Sequence, residues 1–190
     1  MSERSIHGVA DRRTLLTCGA MAGAVTITGG GLLTAHAAGS AKKAIVVPPA
    51  EGKKLNILGH SATVKLAEPE AGGDYYVFDV VSPPGAGIPP HVHRNEDEII
   101  HIAEGDYEIF LGGRKYRASA GTTIHFPRAI PHGFRNVGGG PGKTLWTVVP
   151  GKKFELFFEE LAALPPGRPP DMAKVAAIFK AYDIALLPPN

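Results

Sequence analysis

GAGIPPHVHRNEDE (residues 85–98), followed by Gly105, and GTTIHFPRAIPHGFRN (residues 121–136) decide how this chain is read. His91 and His93 stand two apart. Alternate residues of a β-strand share a face, about 6.6 Å apart at about 3.3 Å per residue, so both imidazoles can address one cation. Glu98 follows after four intervening residues, enough for a tight turn and the start of the next strand. His132 comes just past a turn over Pro127–Pro131. Neutral imidazole nitrogens with one anionic oxygen suit a divalent first-row metal. A buried Glu98 without a cation or partner would be costly.

These stretches resemble the two motifs of the cupin superfamily, G-x5-H-x-H-x4-E-x6-G and G-x5-P-x-G-x2-H-x3-N. Gly85, His91, His93, Glu98 and Gly105 fill the first, and Gly121, Pro127, His132 and Asn136 fill the second. Ala129 stands where the family usually has glycine, the residue favoured where φ is positive. The resemblance implies a metal held by His91, His93, Glu98 and His132. It also implies an all-β, jelly-roll (double-stranded β-helix) barrel over residues 55–150.

Composition bounds the rest. The 190 residues fit one domain with extensions, and a net charge of +2 gives no basic field to attract nucleic acid. Twenty-four glycines and 17 prolines suit short strands joined by many turns. The single cysteine, Cys18, lies in a segment expected to be removed, which leaves no thiol for a disulfide or a thiolate site.

Residues 1–37 read as an export signal. Arg12-Arg13 precedes a mildly apolar run from Cys18 to Leu33, and Ala35-His36-Ala37 offers small residues for cleavage. The pattern resembles a twin-arginine signal, which implies a periplasmic or secreted protein. The apolar run falls short of about 20 strongly apolar residues, so no stable membrane anchor is expected. Export in the folded state would let the site acquire manganese or iron inside the cell. Nickel, copper and zinc also suit the ligand set.

An extended lead-in is expected over 38–54, then short strands near 55–58, 62–66 and 75–81. Ser82–Pro90 reads as a Pro/Gly-rich loop. Further strands are expected at 98–102, 107–111, 115–118, 122–126, 134–137 and 144–149, separated by Gly-rich turns. Past Pro150 the pattern becomes helical. Phe154, Leu156, Phe157, Phe158 and Leu161 fit an amphipathic helix, and Met172–Tyr182 a second one with Asp171 as N-cap. The tail 151–190 is thus one or two helices, packed outside the barrel or against a second subunit. A homodimer would fit the family's habit of pairing through edge strands.

Other polar residues read as background. Alternation turns His101 away from Glu98, His60 lies remote and solvated, and His125 is undecided between the surface and the barrel mouth. Arg94, Asn95 and Glu96 read as solvated charges on a loop at that mouth. Lys152–Phe158 after the second motif resembles the quercetin-dioxygenase-like branch of cupins. That resemblance implies a dioxygenase-type oxidoreductase acting on a small phenolic or enolic substrate, with dioxygen as co-substrate and Glu98 as proton acceptor. Two alternatives stand beside it: a non-redox isomerase, epimerase or decarboxylase, and a binding module without turnover.

Overall fold

The computed structural model describes residues 44–165 and 170–188. The expected export signal lies outside them. Eleven strands and three helices follow one another: β1 Lys53–Ile57, β2 His60–Leu66, α1 Glu68–Ala71, β3 Tyr76–Ser82, β4 Gly87–His93, β5 Asp97–Glu104, β6 Asp106–Leu111, β7 Arg114–Ser119, β8 Thr123–Phe126, β9 His132–Asn136, β10 Gly142–Val149, α2 Phe154–Ala162, α3 Met172–Ala181 and β11 Ile184–Leu186.

The strands form two sheets. One has six strands in the order β1-β2-β3-β10-β5-β8, the other five in the order β11-β4-β9-β6-β7. All pairings are antiparallel. Alternation sets the inner faces: Tyr76, Phe78, Val80 and Ser82 of β3 are buried and so are Thr144, Trp146 and Val148 of β10, while the residues between them are partly or fully exposed. Tyr107 and Ile109 of β6 and His132, Phe134 and Asn136 of β9 supply buried side chains from the other sheet.

The sheets do not close into a barrel, which corrects the jelly-roll barrel expected over 55–150. β1 and β8 remain edges of one sheet, β11 and β7 of the other. Alternation tells which face is buried but not whether two edge strands share hydrogen bonds. Two of these edges are short, four residues in β8 and three in β11. The other two carry lysine and arginine, Lys53-Lys54 in β1 and Arg114-Lys115 with Arg117 in β7, a charge pattern that disfavours further strand pairing.

Three local differences matter for the site. The expected loop before His91 is already a strand from Gly87, and Pro89-Pro90 sit inside it where the β4–β9 register is irregular. This is the irregular setting that proline tolerates in a sheet. Second, β11 follows α3 and pairs with β4 at His91 and His93. Third, α2 and α3 are not external decoration. Phe154, Phe157, Phe158, Leu161, Val175 and Phe179 are buried in the same apolar cluster as the sheets. Asp171 caps α3, accepting hydrogen bonds from the amides of Ala173 and Lys174 at 3.1 and 3.2 Å.

Candidate metal centre

Two strands of one sheet and one of the other deliver the four side chains. His91 and His93 project inward from β4, His132 from the facing end of β9, with His91 paired directly to His132. Gly133 lets the two strands approach: a Cβ there would lie 2.9 Å from the Ile88 carbonyl oxygen. Glu98 comes from the start of β5, in phase with buried Ile100 and Ile102. All four are buried, and one potential ligand atom from each lies within 4.8 Å of the others. The imidazole centroids are 4.5 Å apart for His91–His132, 4.9 Å for His91–His93 and 5.3 Å for His93–His132.

The donor chemistry fits a cation. His91 Nδ1 lies 2.9 Å from the Pro89 carbonyl and His132 Nδ1 3.0 Å from the Ile130 carbonyl. A carbonyl only accepts, so each Nδ1 carries the hydrogen and each Nε2 of the neutral ring keeps a lone pair. Burial, and then repulsion from His132 and His93, pushes the His91 pKa down to about 3, so this ring is neutral near neutral pH. Burial raises the Glu98 carboxyl, but positive charge on His93 and a proton on His132 Nε2 would outweigh it and hold the group down to about 2, a role that falls to a bound cation when the rings are neutral. An anionic Glu98 and lone-pair nitrogens aimed at one point call for a positive centre between them.

His93 shows the same demand. Its Nε2 is 3.6 Å from Glu98 Oε1, and its Nδ1 faces Glu96 Oε2 at 3.5 Å. Burial lowers its pKa, but Glu98 and Glu96 together reverse the sign and raise it. A proton on His93 and a cation at the centre answer the same surplus of negative charge. Glu96 is 3 % exposed, so it is not the solvated loop charge that its neighbours Arg94 and Asn95 suggest. It stands behind His93 as a carboxylate behind a ligating imidazole, an arrangement that fixes the ring and raises its basicity. Its phase with Glu98, Ile100 and Ile102 is the signal that would have revealed it.

Aromatic rings hold the imidazoles. Phe126 stacks on His132 at 4.6 Å and 5°, Phe154 of α2 lies 5.6 Å from His93, and Phe179 of α3 meets His91 edge-on at 5.7 Å. The Pro127–Pro131 turn that delivers His132 is pinned twice. The Ala129 amide donates to the His93 carbonyl at 2.8 Å. Asp97 accepts from the Arg128 amide at 2.8 Å and from its Nε and Nη2 at 3.0 and 2.8 Å. Ala129 adopts φ 63°, the conformation that the usual glycine would take.

A cavity of about 70 Å³ adjoins the cluster. Its walls include Phe78, Trp146, Phe134, Phe157 and Phe158, and its polar lining is His60, His91, His93 and Glu98. His101 instead bonds Thr123 on the exposed side of β5, and His125 is also exposed.

A family model described as a cupin domain matches residues 78–148. The match covers the strands that carry all four residues of the cluster. A quercetin 2,3-dioxygenase of Bacillus subtilis (strain 168) is 26% identical over 104 residues, 54% of this chain and 31% of that protein. The chain therefore spans about a third of the length of this curated relative. Among solved structures, KdgF from Halomonas sp. superposes with a TM-score of 0.54 at 20% identity, over 60% of this chain and 99% of that one. A predicted oxalate decarboxylase from Thermotoga maritima gives 0.51 at 20% identity, over 55% and 98%. At these identities the likeness is one of fold. The chain departs from the two motifs only at Ala129, and the backbone there retains the turn.

Proposed function

We propose that this protein is a cupin and a metal-dependent, dioxygenase-type oxidoreductase acting on a small phenolic or enolic substrate. The observation that carries the reading is the cavity beside the cluster. Its aromatic walls favour a flat apolar molecule and oppose a sugar, whose many hydroxyls would be left without partners at a cost of a few kcal/mol each. The similarity to a quercetin dioxygenase supports the oxidative chemistry.

In this reading His91, His93, Glu98 and His132 hold a manganese or iron ion, which supplies Lewis-acid activation and a template for substrate and dioxygen. Glu98 is the carboxylate that borders the cavity, and its proposed second role is to take the proton released by the substrate hydroxyl. The aromatic cover from α2 and α3 excludes water from the reacting atoms. Protein loaded with manganese or iron is expected to consume dioxygen in an electrode cell with small β-diketones or catechols. A fully loaded sample that consumes none with either class overturns the reading.

A further inference from the structure

His60 is an imidazole outside the cluster, and it is not solvated. It opens β2 in phase with buried Ala62 and Val64, and its relative exposure is 2 %. Its Nδ1 lies 2.9 Å from Ser82 Oγ at the end of β3, and Ser82 is itself fully buried. Asn136 Nδ2 donates to the Ser82 carbonyl at 2.8 Å, which ties this corner to the second motif. The ring rests against Phe134 at 5.6 Å. Among the described residues, buried His60 Nε2 has no hydrogen bond of good geometry, the Gly87 carbonyl being at most a weak partner, and the residue lines the same cavity as Glu98. Burial lowers its pKa, with the Gly87 carbonyl offsetting part of the effect, so the ring is neutral near neutral pH.

A buried nitrogen left without a partner costs about 1–3 kcal/mol. An aliphatic residue would fill the corner without that cost. Register places the two polar poles apart. Glu98 pairs with Val148, which pairs with Tyr76 at the start of β3, whereas Ser82 is the last residue of that strand. Phe134 and Trp146 line the apolar wall of the same cavity.

We infer that His60 determines specificity: its Nε2 hydrogen-bonds the end of the ligand remote from the cluster. The cavity then takes a flat apolar molecule with an anionic oxygen at one end and a hydroxyl or carbonyl at the other. This rests on reading the cavity as the substrate pocket and adds the second polar group to the substrate class. A ligand hydroxyl serves either ring tautomer, because it both donates and accepts.

The test uses full-length protein loaded with zinc, a diamagnetic ion, and two probe pairs: 4-hydroxybenzoate against benzoate, and 4-hydroxycinnamate against cinnamate. Calorimetry should show that the wild type prefers the hydroxylated member of at least one pair by about three- to tenfold. His60→Leu should erase that preference while zinc content stays at the wild-type level. His60→Gln, which keeps a donor and an acceptor, should retain part of it. A folded, zinc-loaded His60→Leu protein that keeps the preference overturns the inference, as does a wild type without preference in either pair. Should His60→Leu not fold, nitrogen NMR of the wild type decides: the hydroxylated probe must move the His60 Nε2 resonance more than its partner does, and equal movement overturns the inference. Failure to consume dioxygen would remove the oxidative reading and leave this result standing. A wild type without the preference, or a His60→Leu protein that keeps it, would remove the role of His60 and leave dioxygen consumption untouched.

Discussion

His132 Nε2 lies 3.2 Å from Glu98 Oε2 while its Nδ1 is held 3.0 Å from the Ile130 carbonyl. With the hydrogen committed to Ile130, two lone pairs confront each other in a buried site. A metal ion removes that conflict in the native state and has no preformed site in the unfolded chain. Saturation at a hundred times the dissociation constant should therefore stabilise the protein by about 2.7 kcal/mol and raise Tm by about 5–10 °C. Differential scanning of chelator-stripped protein with and without added manganese measures this. An unchanged Tm would mean that the four groups reach electroneutrality with protons alone.

Glu96 is expected to act through His93. Glu96→Gln keeps the size of the side chain but removes the anionic partner 3.5 Å from His93 Nδ1. Metal affinity should fall by about 10–100-fold, the usual effect of losing the carboxylate behind a ligating imidazole. Competitive titration against a chelator reads the change. Far-ultraviolet circular dichroism should stay the same.

Asp97 gives the fold an acid-sensitive clamp. The side-chain and backbone hydrogen bonds of Arg128 hold its carboxyl down to about 2. A depressed carboxylate pKa adds stability that is fully present above the unfolded value of about 3.9 and is lost as pH falls through the folded value. The window is thus about pH 4 to 2. The pair is part-exposed, and solvent screening limits the contribution to about 1 kcal/mol. Asp97→Asn should lower stability by that amount at pH 7 and flatten the pH dependence in this window, measured by urea denaturation.

Ala129 holds a left-handed backbone at φ 63°, which costs a non-glycine residue about 1–2 kcal/mol. Glycine would relieve that strain while adding about 0.4–1 kcal/mol of unfolded-state entropy. Ala129→Gly should therefore be neutral to stabilising by about 1 kcal/mol, and the amide bond to the His93 carbonyl should persist. Chemical denaturation decides, and a clear loss of stability would contradict the strain argument.

Much of the site could be read from the chain because two motifs fix residue types at fixed intervals, and the strands impose a period of two. His91 and His93 share a face for that reason, and Glu98 follows Ile100 and Ile102 inward. The same period, applied to His60 beside Ala62 and Val64 and to Glu96 beside Glu98, would have placed both inside. The loop composition around them spoke for solvent instead. Closure was not legible, because side-chain alternation is blind to the pairing of edge strands such as β7 and β8. Nor was the role of the tail. An amphipathic helix announces an apolar face, but only the tertiary structure shows Phe154 and Phe179 set against the imidazoles.

In this reading His91, His93, Glu98 and His132 together hold one divalent ion. Elemental analysis of chelator-stripped, manganese-reconstituted protein tests it most directly, with Glu98→Ala and His132→Ala treated identically. One equivalent of metal per wild-type chain is expected, and under about a tenth in either folded variant, since each removes a buried ligand and leaves the others uncompensated. Equal metal content in the wild type and both variants would contradict it.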